Sequence, residues 1–150
     1  SCNRAVMPPS TFFFVTFLLC LTTPEAKVFG RCELARALRY NYGFPLDQLP
    51  TWVCIANYES LYDTSAFNRV SGDHGIFQIS QLCWCSDDKH PGKNCNAVCS
   101  KFRDDDIADD VACVKKIFAE NERLSGDGFD GWMTYQSCRD NVGEFTTGCF

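Results

Sequence analysis

Residues 51–60, Thr-Trp-Val-Cys-Ile-Ala-Asn-Tyr-Glu-Ser, and residues 67–79, Phe-Asn-Arg-Val-Ser-Gly-Asp-His-Gly-Ile-Phe-Gln-Ile, switch from one structural period to another within a few positions. In the first stretch Trp52, Val53, Ile55 and Ala56 make the apolar face of a helix expected from about Pro50 to Ser60, with Glu59 near its carboxyl end. In the second, Gly, Asp and Asn separate short β-prone pieces. Ser71-Gly72-Asp73 reads as a turn and Ile76-Phe77-Gln78-Ile79 as a strand, so a small hairpin should follow the helix. Upstream, Leu34, Leu38 and Tyr42 recur at spacing four, which predicts an amphipathic helix from Arg31 to Tyr42 ended near Gly43 and Pro45. Downstream, residues 83–99 form a polar, cysteine-dense loop. Ile107, Val111, Val114 and Phe118 then mark a further helix with acids in its first turns and Lys115 and Lys116 later, as the helix dipole favours. A shorter helix is expected around Phe129 to Tyr135. The class is α+β: mostly helical, with a small antiparallel sheet inserted between helices.

The 150 residues, 45% of them hydrophobic, suffice for one domain with its own core. The apolar run from Thr11 to Leu21 is too short to span a bilayer and reads as the centre of a secretion signal. Met7 is the sensible start, and cleavage is expected after Ala26, although Pro24 is unusual there. The division is therefore residues 1–26 as upstream residues and signal, and 27–150 as the mature, extracellular domain with no membrane span. Eleven cysteines with such a signal point to an oxidising compartment. Nine remain after Cys2 and Cys20 leave, so eight can pair and one is left over; their spacing alone leaves the pairing open. Zinc at Cys83, Cys85, Cys95, Cys99 and His90 is a minor reading, because Cys83 and Cys85 are spaced C-x-C and secretion favours disulfides. The net charge of −5 persists in the mature chain, since Arg4 and Glu25 leave together. There is no basic patch for nucleic acid or anionic lipid.

Two carboxyl groups are candidates for chemistry. Glu59, taken alone, is a helical glutamate whose ordinary fate is solvated surface. Its apolar neighbours Trp52, Val53, Ile55 and Tyr58 remove solvation from the charged form and should raise its pKa, which suits a proton donor. Asp73 lies in the polar run Ser-Gly-Asp-His-Gly and should stay ionised. One protonated and one charged carboxyl across a cleft is what glycoside hydrolysis requires.

The segments KVFGRCELARAL at Lys27, TWVCIANYES at Thr51, GDHGIFQIS at Gly72 and the closing GCF together resemble the c-type lysozymes of the lysozyme/α-lactalbumin superfamily. The resemblance spans Lys27 to Phe150. It implies disulfides Cys32–Cys149, Cys54–Cys138, Cys85–Cys99 and Cys95–Cys113. It also implies Glu59 as general acid, Asp73 as nucleophile or oxocarbenium stabiliser with net retention, Trp132 packed against the acid, Trp84 lining a sugar cleft, and Gln78 and Asn68 near the aspartate. The expected substrate is bacterial peptidoglycan or a related amino-sugar polymer, cut by a monomer in antibacterial defence or digestion.

From Lys101 to Asp110 the chain places five aspartates within seven positions. Acids at a helix start often only cap it. So dense a cluster repels itself, and a hard dication with oxygen ligands would relieve that. The segment resembles the calcium loop of α-lactalbumin and the calcium-binding lysozymes. That likeness implies carboxylates from Asp104, Asp109 and Asp110 and carbonyls from Lys101 and Asp106 around a structural Ca2+.

Some positions depart from the family pattern. Cys83 stands just before Trp84, where an aromatic normally stacks on a sugar, the hairpin before Asp73 is shorter, and Ser80 stands where many members have asparagine. A non-catalytic, calcium-binding, α-lactalbumin-like saccharide-binding or regulatory protein is the alternative, and a dimer linked through Cys83 a third reading. Both carboxyl groups are present, which favours the enzyme. An anionic protein is repelled from anionic cell walls at low ionic strength, which suggests a digestive or acid-tolerant role.

Overall fold

The expected helix over Pro50–Ser60 is α2, Leu49–Ser60, in a computed structural model that describes residues 26–150. The signal segment expected before Lys27 lies, apart from Ala26, outside the described residues. Pro50 suits the first turn of α2, where its missing N–H costs no hydrogen bond. The helix is almost wholly enclosed: Leu49, Trp52, Val53, Cys54, Ile55 and Ala56 are all buried.

Trp52 is the hub of the core. Phe44, Phe77, Phe118, Phe129 and Trp132 surround its ring at centroid distances from 4.9 to 5.9 Å, mostly edge-on, as ring quadrupoles prefer. α1, Arg31–Arg36, begins the fold and continues as a π-helical turn, Ala37–Asn41, before Tyr42. α3, Ala108–Ser125, closes the other side and ends at Gly126, whose left-handed φ of 83° permits the C-cap. The short helix expected over Phe129–Tyr135 is two 3-10 segments, Gly128–Gly131 and Met133–Cys138, interrupted at Trp132, which is extended (φ −119°, ψ 122°). Further 3-10 turns cover Cys99–Arg103 and Val142–Phe145.

The sheet is a three-stranded antiparallel meander: β1 Phe67–Asn68, β2 Asp73–His74 and β3 Ile79–Ser80. Two expectations shift here. Asp73 belongs to a strand, not to the turn, and most of Ile76–Ile79 is a second turn. Gly75 and Gln78 take left-handed φ values of 78° and 50°, which folds Ile76 and Phe77 into the core. Their apolarity reports core burial and not a strand face.

Four disulfides tie the elements together: Cys32–Cys149, Cys54–Cys138, Cys85–Cys99 and Cys95–Cys113. Cys54–Cys138 joins α2 to the 3-10 segment after Trp132 and so sets the two walls that meet at Glu59. Cys83 is unpaired and exposed.

Candidate active site

Glu59 lies one residue before the end of α2. There the chain turns away through two left-handed residues, Leu61 and Tyr62, whose amides bond back to Asn57 and Ala56 carbonyls at 2.9 and 3.3 Å. Ser60 Oγ is 3.0 Å from the Ala56 carbonyl and 2.8 Å from that of Ile76, so its proton can serve the helix or the loop joining β2 to β3. This contact couples the carrier of Glu59 to the segment carrying Asp73.

Asp73 is paired in register with Asn68 on one side and Ser80 on the other. These three polar residues therefore share one face of the sheet. Phe67, His74 and Ile79 share the other. Ser71 Oγ donates to Asp73 Oδ2 at 2.6 Å. Asn68 Oδ1 accepts from the amides of Val70 and Ser71 at 3.0 and 3.2 Å, so it shapes the turn that delivers Asp73. Gln78 donates through Nε2 to the Gly75 and Ala66 carbonyls, at 2.9 and 3.3 Å, and braces the second turn.

Glu59 and Asp73 line one cavity of about 390 Å³ with Ser71, Gln78, Ser80 and Trp132. A neighbouring cavity of about 360 Å³ shares Glu59 and Gln78 and is bounded by Tyr58, Phe67 and Asn68. Sharing Glu59 and Gln78, the two make one cleft at the end of α2. Half-burial pushes the Glu59 carboxyl above its ordinary 4.5; the Thr134 hydroxyl, donating to Oε1 at 2.7 Å, pulls it back, and the Asp73 charge adds to the rise. Loss of hydration is the leading cause, so the proton is retained mainly because the anion is poorly solvated.

Trp132 is buried against Trp52 and donates from Nε1 to the Phe77 carbonyl at 3.0 Å. It thereby gives the cavity a rigid apolar wall. Trp84 is half-buried against the core and does not border either cavity beside Glu59. Asn68, Gln78 and Trp132 thus meet at the cleft, while Trp84 stands apart. Thr134 was not legible in the sequence. It reaches Glu59 only because the chain breaks at Trp132 and Cys138 is bonded to α2.

The chain belongs to the C-type lysozyme/alpha-lactalbumin family. The model of that family matches residues 27–149. A curated relative, "Lysozyme C, milk isozyme" of Canis lupus familiaris, is 41% identical over 76% of this chain and 92% of its own. "Lysozyme c-1" of Anopheles gambiae is 38% identical over 91% and 98%. The solved structure of a lysozyme from Litopenaeus vannamei superimposes with a TM-score of 0.72 at 38% identity, covering 83% of this chain and 98% of that one. The lysozyme fold, with its small antiparallel sheet and four disulfides, is therefore the frame of this cleft. Among the described residues no helix is long and apolar enough to cross a membrane.

A second acidic group of this lysozyme-family chain lies beneath the sheet. Asp110, in the first turn of α3, is 1% exposed, and neither of its carboxylate oxygens has a hydrogen-bond partner. Burial drives its pKa well above the ordinary 3.8, and Asp109 adds to the rise. At Gly75 an added Cβ would fall 2.0 Å from the Phe102 carbonyl and 2.7 Å from Asp110 Oδ1. A glycine is thus needed for this close approach. Asp104 Oδ1 accepts from the Asp106 amide at 3.0 Å and Asp109 Oδ1 from the Asp110 amide at 3.1 Å. Among the described residues no three His, Cys, Asp or Glu side chains converge to enclose a metal by themselves.

Proposed function

We propose that this chain is a muramidase that hydrolyses the β-1,4 linkage between N-acetylmuramic acid and N-acetylglucosamine in peptidoglycan, with retention. The observation that carries this reading is the pair of carboxyl groups in one cleft held in unlike environments. Glu59, backed by Trp132 and short of hydration, keeps a proton to give to the departing glycosidic oxygen. Asp73, on the polar strand face beside Ser71 and Ser80, offers a carboxylate to the developing oxocarbenium centre. Thr134 holds one Glu59 oxygen, Oε1, at the edge of the cleft. A non-catalytic calcium protein has no use for this pairing.

The finer reading is a secreted monomer that acts in antibacterial defence or digestion and carries calcium. Four disulfides and relatives named as lysozymes support secretion. The buried, unpartnered Asp110 supports calcium, because a sealed carboxylate without a donor calls for a cation. Asp104, Asp109 and Asp110 would supply carboxylates and Lys101 and Asp106 their carbonyls. The ion would supply only charge compensation to the fold, with no part in bond cleavage.

The test is peptidoglycan hydrolysis by the mature chain beside Glu59→Gln. The variant should keep its fold and lose about 10²- to 10⁴-fold in kcat, the usual worth of a positioned proton donor. Equal activity in the two proteins, or none in either, would remove the enzymatic reading.

A further inference from the structure

Strand β2 is two residues long, and its side chains point to opposite faces: Asp73 toward the cleft and His74 into the protein. So short a strand has few backbone bonds to fix its register, and a slip of one residue would turn Asp73 inward. His74 is 4% exposed, and its ring stacks on Phe67 of β1 at 4.5 Å between centroids with 25° between planes. Arg103, from the 3-10 turn Cys99–Arg103, lies over the same Phe67 ring at 4.8 Å. On the far side His74 Nε2 meets Gln81 Oε1 at 3.3 Å. Gln81 also covers Gly72, the residue before Asp73: its side-chain carbon would sit 2.4 Å from a Cβ there, and its backbone N–H donates to the Gly72 carbonyl at 2.8 Å.

We propose that His74 is the positioning residue for Asp73, its uncharged ring clamped between Phe67 and Gln81 so that β2 presents the carboxylate to the cleft. This rests on the muramidase reading above. With Gln81 accepting from Nε2–H, the lone pair of the neutral ring falls on Nδ1, which is buried and has no partner. A proton added there would be a buried donor with no acceptor. The charged groups around the ring are Asp73 on its own strand, Arg69 on the β1–β2 turn, Arg103 from the 3-10 turn and Asp87 from the following loop. Burial pushes the imidazole below its usual 6.5, opposed by the Gln81 contact, with Arg103 adding to the fall and Asp73 and Asp87 resisting it. The unfolded chain therefore takes up this proton first. The clamp is complete above about pH 6.5 and is lost as pH falls through the lower native value.

The experiment is steady-state hydrolysis of a soluble peptidoglycan oligosaccharide from acid to alkaline pH by wild type, His74→Ala and His74→Phe, with thermal melting of each. His74→Ala should lose about 10- to 100-fold in kcat with KM changed less than about threefold, since a small misplacement of a reacting group is felt in the chemical step. His74→Phe keeps the stacking without the titration. It should recover most of kcat and extend activity to lower pH. Wild-type kcat in a folded His74→Ala, or an acid limb of His74→Phe that superimposes on wild type, overturns the proposal while leaving the enzyme an enzyme. If His74→Ala fails to melt cooperatively, the His74→Phe profile decides alone. An inactive wild type is a separate result, seen before any variant, and sinks the muramidase reading together with this one.

Discussion

Glu59 and Asp110 are both carboxyl groups withdrawn from water, and burial raises the pKa of each, yet their surroundings suit opposite tasks. Glu59 has one oxygen engaged by Thr134 and opens onto a cleft, so it can exchange a proton with substrate and solvent. Asp110 is sealed, has no donor on either oxygen and sits beneath the strand that bears Asp73. The first is an acid that can cycle. The second is a carboxyl group left without a hydrogen-bond partner. Desolvation alone does not tell a catalytic carboxyl from a structural one; access and hydrogen bonding do.

Four substitutions and one addition test that contrast. The largest effect is expected at the cleft: Asp73→Asn should lower kcat by about 10²- to 10³-fold, as removal of a preorganised electrostatic partner commonly does, with melting little changed. Next is calcium. At about 100 times its Kd the ion should add about 2.7 kcal/mol to stability, read as a rise in Tm that a chelator reverses. Asp110→Asn should abolish that response, because it removes the buried carboxylate that the ion would neutralise. A smaller effect is expected from Thr134→Val. Without the hydroxyl that opposes its rise, the Glu59 pKa should climb further, carrying the alkaline limb of kcat upward. The smallest is Cys83→Trp, which restores an aromatic at the exposed position before Trp84 and should lower KM about two- to tenfold, the range that one ring contact supplies.

The sign of the Glu59 effect on stability follows from linkage. A folded-state pKa above 4.5 means that the native state holds the proton more tightly than the unfolded chain. Its contribution to stability is complete below pH 4.5 and is lost as pH rises through the raised value. Under the proposed mechanism protonated Glu59 is also the active form, so activity should fall over the same range.

The helices were legible in the sequence because their apolar faces repeat: α2 begins one residue before the expected Pro50 and ends at the expected Ser60. The hairpin was legible as a region but not residue by residue. Ile76 and Phe77 are apolar because Phe77 packs on Trp52 and both are buried, and periodicity cannot separate that from a buried strand. The left-handed turns at Gly75 and Gln78 displaced the strand toward Ser80 and freed Asp73 to join β2. At the site, Glu59 and Asp73 were legible through the family resemblance, with their apolar and polar chain neighbours in keeping with it. Thr134 and His74 were not, since their partners Glu59, Phe67 and Gln81 are supplied by the tertiary fold.

The measurement closest to the central claim is a carboxyl-carbon NMR titration of Glu59 in the wild type and in Asp73→Asn. The midpoint should lie above the ordinary 4.5 in the wild type and lower in the variant, where the Asp73 charge no longer contributes. A wild-type midpoint at or below 4.5 would contradict that claim, because Glu59 would then enter the reaction without the proton it is held to donate.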